Sequence, residues 1–247
     1  MGSGNKKVNS IKDNVIVFGS AGAIGTKIVD YFIKKKLNVF SCSREEKRIN
    51  KKNQNYFSFN VNDNLTNLSG LENLNDHSVH SVVWAQGVNL NDNIRNFDLT
   101  EHKSVYDANV TYILLSLNIL IQRKLLNPKA KLCIISSIWQ NLAKQNKLTY
   151  SITKSALKGL VQSVAIDLGY EGLLINAVLP GAIDSPMTHC NLSKAQIDSI
   201  KSQTPLNSLA SYDDIAGLVY FLCSPENTGI TGQFICADRG FSNARII

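Results

Sequence analysis

Apolar runs of strand length alternate with segments of helical period along this chain. Val15 to Gly19, Val39 to Ser43, Phe57 to Val61, Val82 to Ala85, Lys131 to Ser136, Leu173 to Leu179 and Gln233 to Ala237 read as strands. Between them lie helical patterns from about Ile24 to Lys36, Leu65 to Leu74, Thr100 to Leu126, Leu148 to Tyr170 and Ser211 to Cys223. The polar stretch Arg44 to Tyr56 holds at most a short helix, and Asn127-Pro128 reads as the stop of the long one. The strands are nearly continuous in apolar residues, as strands buried on both faces are. The pattern therefore predicts an α/β fold: a doubly wound parallel sheet of about seven strands with helices on both faces.

The length, 247 residues, suits one large domain and a substantial core. Met1-Gly2-Ser3-Gly4 looks like a tag remnant and Asn5 to Lys12 like a polar arm. The expected organisation is a flexible segment over residues 1–13 and one domain over 14–247. No apolar run in the sequence reads as a membrane span. The five cysteines show no CxxC spacing, and Cys133 and Cys236 fall in apolar strands, so free thiols in a reducing cytoplasm are expected.

The net charge of +7 raises the question of nucleic acid. The lysines lie in short separate clusters, such as Lys34 to Lys36 and Lys51-Lys52, with no basic stripe interleaved with aromatics. Nucleic acid is therefore not the expected partner. A basic surface also draws small anionic cofactors and substrates.

The chemistry concentrates in three places. Gly19-Ser20-Ala21-Gly22-Ala23-Ile24-Gly25 follows the first strand and opens the first helix. Glycine permits the tight turn and close backbone approach that a pyrophosphate needs, and the helix N-terminus supplies oriented N–H groups. At the end of the second strand, Ser43-Arg44 stands where an acidic residue would select NAD, and a guanidinium suits a 2′-phosphate. NADP(H) is thus expected over NAD(H). Third, Tyr150 and Lys154 share one helix face, with Ser136-Ser137 upstream at the end of an apolar run. An ammonium close to the phenol would lower its pKa, and moving it from about 10 to near 7 takes roughly 4 kcal/mol. Tyr150 would then be a general acid/base at neutral pH, and Ser137 could polarise a carbonyl. His77 and His80 lie in a polar loop without further ligands, so no metal is expected.

Together these residues resemble the short-chain dehydrogenase/reductase family over about Asn14 to Phe241. Ser137, Tyr150 and Lys154 match its catalytic motif in type, order and spacing, and Asn109 falls where the family places a fourth catalytic residue. Pro180-Gly181-Ala182-Ile183-Asp184-Ser185 looks like its Pro-Gly segment, in which Ile183 and Ser185 would contact the nicotinamide carboxamide. The resemblance implies a single-domain Rossmann-type fold. It also implies cofactor contacts at Asn60 and Val61, and at Ala85, Gln86 and Gly87. The activity implied is hydride transfer between NADP(H) and a small carbonyl or secondary alcohol, as in 3-oxoacyl-carrier-protein reductases. Asn109 would orient a water leading from Lys154 to solvent. The long helix is apolar on more than one face, and the family pairs it across a subunit interface, so a homodimer or homotetramer is expected.

The sequence departs from the family pattern at several points. Phe18 stands for a threonine, Ala23 for the middle glycine of the turn, and Asn60 for an acidic residue. Trp84-Ala85-Gln86-Gly87 stands for Asn-Asn-Ala-Gly, and Arg239 for a glycine. Two other readings follow from these features: a sugar-modifying member of polysaccharide synthesis, suggested by the spacing of the turn, and a dinucleotide sensor without turnover.

Overall fold

The computed structural model describes residues 13–43, 54–58, 71 and 74–243. Seven parallel strands form one sheet in the order β3-β2-β1-β4-β5-β6-β7. They are β1 (Asn14–Phe18), β2 (Asn38–Ser43), β3 (Gln54–Ser58), β4 (Val79–Trp84), β5 (Leu126–Ile135), β6 (Leu174–Pro180) and β7 (Phe234–Ala237). The helices are α1 (Ala23–Lys34), α2 (Leu99–Tyr106), α3 (Tyr112–Gln122), α4 (Leu148–Gly169), α5 (Pro186–Asn191), α6 (Lys194–Ser202) and α7 (Tyr212–Cys223). Strand order reverses between β1 and β4, which opens a crevice at the carboxyl ends of the strands where ligands bind in such sheets.

The continuous apolar strands explain the two-sided burial. Along β1, Val15 and Val17 join a core with Ile28, Phe32, Ile215 and Val219 of α1 and α7. Ile16 and Phe18 face the other way, into a core with Ile113, Leu117, Leu157 and Val161 of α3 and α4. The period-two alternation of a strand thus feeds both layers at once.

Two departures from the family pattern are accommodated together. Phe18 at the end of β1 stacks on Trp84 at the end of β4, with ring centroids 5.8 Å apart and planes 9° from parallel. Tyr112 meets Phe18 edge-on. The Trp84 indole donates to Ser116 Oγ at 2.8 Å, so its one polar group is satisfied inside the core.

The long helix ends earlier than its sequence predicts. Helical structure stops at Gln122, Lys124 takes a left-handed φ of 52°, and the chain enters β5 at Leu126. Leu126 pairs with Val79 and Lys131 with Ser81, so residues 127–130, Pro128 among them, bulge from the ladder. Asn127-Pro128 therefore marks an irregular strand start and not a helix stop. The helix is also interrupted: Asp107–Thr111 forms a π-turn, in which Tyr112 N–H reaches back to Asp107 O. By length and composition Leu99–Gln122 could cross a membrane, but half of its most apolar window is buried in the molecule, as in a core helix. Strand β3 lies a few residues earlier than Phe57 to Val61, and the expected helix Leu65 to Leu74 falls largely outside the described residues. Helices α5 and α6 are additions to the sequence reading, each entered through a serine cap, Ser185 and Ser193.

Candidate functional site

The glycine turn is shaped by backbone contact. Gly19 has a φ of 75°, and a Cβ there would lie 2.4 Å from Gln86 N. A Cβ on Gly25 would lie 2.1 Å from Gly19 O. Neither position admits a side chain unless the turn moves. Gly22 is less constrained and serves as the N-cap of α1 without a side-chain bond. No acidic residue occupies the first turn of α1, so the N–H groups of Ala23 and Ile24 and the positive end of the helix are left for an anion. Ser20 is differently engaged. Its N–H and its hydroxyl both donate to Cys42 O at 3.0 Å, which ties the turn to β2. Ser43 ends β2 in register with Ser58, while Arg44, Asn60 and Val61 lie outside the described residues.

The catalytic-type residues converge from β5 and α4. Ser137 follows β5 and caps a single 3₁₀ turn, Ile138–Gln140, by accepting from Trp139 N. Tyr150 stands in the first turn of α4 with the Ser137 hydroxyl hydrogen-bonded to it. Lys154, one turn on, is buried at 4% exposure, and its Nζ donates to Ile135 O at 3.0 Å. The same Nζ lies 5.6 Å from the centroid of the Tyr150 ring.

The electrostatics differ from the sequence expectation. Burial pushes the Tyr150 phenol above its ordinary 10.0, and the bond from Ser137 only partly offsets this. Desolvation lowers Lys154 to about 8. The Lys154 ammonium donates to the Ile135 carbonyl, and burial of the phenol outweighs what lowers its pKa.

Asn109 lies in the π-turn and is 1% exposed. Its Oδ1 accepts from Val88 N at 2.7 Å, and its Nδ2 donates to Val88 O at 3.0 Å and Thr153 Oγ1 at 2.9 Å. The side chain thus clamps the segment after β4 to α4. Its amide hydrogens are both engaged by the protein. Gly87 lies against this clamp: a Cβ there would be 3.3 Å from Asn109 Oδ1 and 3.5 Å from Lys154 Nζ.

Several contributors escaped the sequence reading because their partners are remote in the chain. Asp92, 3% exposed, accepts from Thr149 N at the start of α4. Lys147 donates to Asn89 Oδ1 at 2.6 Å, to Leu90 O and to Asn91 Oδ1, and sits 5.9 Å from the Tyr150 ring centroid. Thr153 completes the Asn109 clamp. On the other side, Gly181 passes Asp238 so closely that a Cβ would lie 2.7 Å from its Cβ. Ile183 bridges Ala210, and Ser185 caps α5 by accepting from Thr188 N. Arg239, with a φ of 58°, bonds Asp214 and Ser208 and fastens the last turn to α7. His189 pairs with Asp184 at 2.7 Å. No cluster of His, Cys, Asp or Glu suited to a metal occurs among the described residues.

The residues fit a dinucleotide. Two glycines allow backbone approach, the α1 N-terminus is uncapped, and both amide atoms of Gln86, buried beside the turn, lack partners.

Comparison with known proteins agrees with this geometry. The family model described as enoyl-(acyl carrier protein) reductase matches residues 19–242. The chain is 24% identical over 245 residues to the 3-oxoacyl-[acyl-carrier-protein] reductase FabG of Buchnera aphidicola, covering 94% of this chain and 98% of that protein. It is 25% identical over 242 residues to a chloroplastic tropinone reductase homologue of Arabidopsis thaliana, covering 93% and 75%. Among solved structures, ElxO with NADP bound superposes with a TM-score of 0.82 at 23% identity, covering 93% of this chain and 98% of that one. A gluconate 5-dehydrogenase from Burkholderia cenocepacia in complex with NADP and tartrate gives 0.86 at 17% identity, covering 95% and 98%. These two likenesses show the fold. With the family match spanning nearly the whole domain, the chain belongs to the short-chain dehydrogenase/reductase family of oxidoreductases.

Proposed function

We propose that this protein is an NADP(H)-dependent reductase that interconverts a small carbonyl compound and its secondary alcohol. The observation that carries the reading is the meeting of Ser137, Tyr150 and Lys154 at the carboxyl edge of the sheet, on the same side as the glycine turn. When bound, the dinucleotide supplies or accepts the hydride. Gly19, Gly22, Ala23, Ile24 and Gly25 would hold its diphosphate, Ser43 and Arg44 would favour a 2′-phosphate, and Ile183 and Ser185 would contact its nicotinamide. Tyr150 gives its proton to the carbonyl oxygen, and Ser137 hydrogen-bonds the same oxygen as negative charge develops. Lys154 fixes the base of the site through Ile135 and carries a proton that its lowered pKa makes easy to exchange. Asn109 keeps the floor between β4 and α4 in place.

The sensor reading rested on Phe18 and on the altered segment Trp84-Ala85-Gln86-Gly87, and the stacking of Phe18 on Trp84 is a packing reason for those two residues. An oligomer is part of the proposal. Leu114 and Ile121 of α3, and Ile152 and Ile166 of α4 with Tyr170 just beyond it, are exposed apolar residues that a second subunit would cover. A cytoplasmic location agrees with five free cysteines.

The test is titration of nicotinamide fluorescence with NADPH and then NADH. It is followed by a carbonyl-substrate screen with Tyr150→Phe as control. Tight NADPH binding, weak NADH binding and turnover lost in Tyr150→Phe are expected. Binding of neither dinucleotide would sink the reading.

A further inference from the structure

We propose that the side-chain amide of Gln86 is a binding group for the nicotinamide-ribose diol of the dinucleotide. This rests on the dinucleotide reading above and adds to it a residue whose side chain the family pattern, with alanine there, does not supply. The placement comes first. Strand β4 ends at Trp84, and Ala85 N still bonds Phe18 O, so Gln86 stands at the switch point between β1 and β4. Its backbone touches the glycine turn on one side, where a Cβ on Gly19 would come within 2.4 Å of its nitrogen. Its neighbour Gly87 faces Lys154 Nζ and Asn109 on the other. Gln86 therefore bridges the diphosphate end and the reacting end of the crevice.

The chemistry of the amide narrows the ligand group. Oε1 and Nε2 of Gln86 are both buried, and neither has a partner. Gln140 differs, because its Oε1 accepts from Ser136 and only its Nε2 is left over. Burying an unpaired amide is costly, so such a group is retained where a ligand completes it. A phosphate only accepts, and would satisfy Nε2 alone. Adjacent hydroxyls both donate and accept, and a vicinal diol can answer both ends of one amide. In NADP(H) the 2′-hydroxyl of the adenosine ribose is phosphorylated, so the vicinal diol is that of the nicotinamide ribose, which joins the diphosphate to the reacting ring as Gln86 joins the two ends of the crevice.

The experiment uses Gln86→Met, which keeps the length of the side chain and removes both polar atoms. NADPH and ADP are titrated against wild type and variant, and thermal midpoints are recorded without ligand. The variant should melt at or above the wild-type temperature, since an unpaired amide has been removed. It should bind NADPH roughly tenfold more weakly. ADP lacks the nicotinamide ribose, so its binding should be unchanged; equal weakening toward ADP overturns the assignment to that ribose. Unchanged or tighter NADPH binding overturns the proposal, as does a variant that melts below wild type, because the amide would then have a partner within the protein. Wild type that binds neither NADPH nor NADH overturns the underlying dinucleotide reading instead, so the two failures are told apart.

Discussion

Lys154 buries a charge at a cost that depends on pH, and replacing it with methionine should expose that cost. Its pKa falls from 10.5 to about 8 because the ammonium is desolvated in the fold. Between those values the unfolded chain binds more protons than the folded one, so stability rises with pH across the window. Below about pH 8 the full penalty applies, and the shift is worth about 3 kcal/mol. By about pH 9.5 the remaining penalty is roughly 1.5 kcal/mol. Lys154→Met relieves the penalty but leaves Ile135 O without its donor, a loss of about 1 kcal/mol. The variant should therefore be more stable than wild type by about 2 kcal/mol at pH 7, with the advantage shrinking nearly to zero near about pH 9.5. Urea unfolding of both proteins at the two pH values measures this, and taking the difference cancels other titrations. A variant less stable than wild type at neutral pH, or one whose gain ignores pH, would refute the account of a desolvated ammonium.

The raised phenol of Tyr150 predicts opposite pH profiles for the two directions of turnover. Reduction needs the protonated phenol and should stay flat from about pH 6 to 9, while oxidation needs the phenolate and should climb about tenfold per pH unit; initial rates in both directions decide. Gly25→Ala places a Cβ 2.1 Å from Gly19 O. It should cost about 1–3 kcal/mol in urea unfolding and abolish NADPH binding in the fluorescence titration. Asn109→Leu removes three hydrogen bonds, to Val88 N, Val88 O and Thr153 Oγ1, and should cost about 3 kcal/mol. Thr153→Val removes one of the three, along with the bond from Thr153 Oγ1 to Tyr150 O, and should cost about 1–2 kcal/mol; equal losses in the two variants would contradict the clamp.

The sheet was legible because a parallel strand must be apolar on both faces, and runs such as Val15 to Phe18 leave little other choice. The glycine turn and the Tyr150–Lys154 pair were legible because helix geometry and backbone approach act over a few residues. What the sequence did not disclose depends on contacts far apart in the chain. The polar residues Gln54 and Asn55 hardly announce a strand, yet they pair with Val39 and Phe40 of β2. The end of the long helix is set by Lys124 turning left-handed and by Leu126 finding Val79. The π-turn has no compositional mark, since Asp107 to Thr111 would suit an ordinary helix. The direction of the Tyr150 shift turned on how deeply the folded chain buries the phenol, which the local sequence does not disclose.

The stacking that reconciles Phe18 with Trp84 also has an optical consequence. The chain has two tryptophans. Trp84 is sealed from solvent, and its indole N–H is bonded to Ser116. Trp139 sits two residues beyond Ser137, with the Lys144 ammonium 5.5 Å from its ring. Intrinsic emission from this protein should therefore divide into a steady blue-shifted band from the interior and a solvent-sensitive band from Trp139 beside Ser137. With Trp84 as the internal standard, a change confined to the red side of the spectrum reports events beside Ser137 without any added dye.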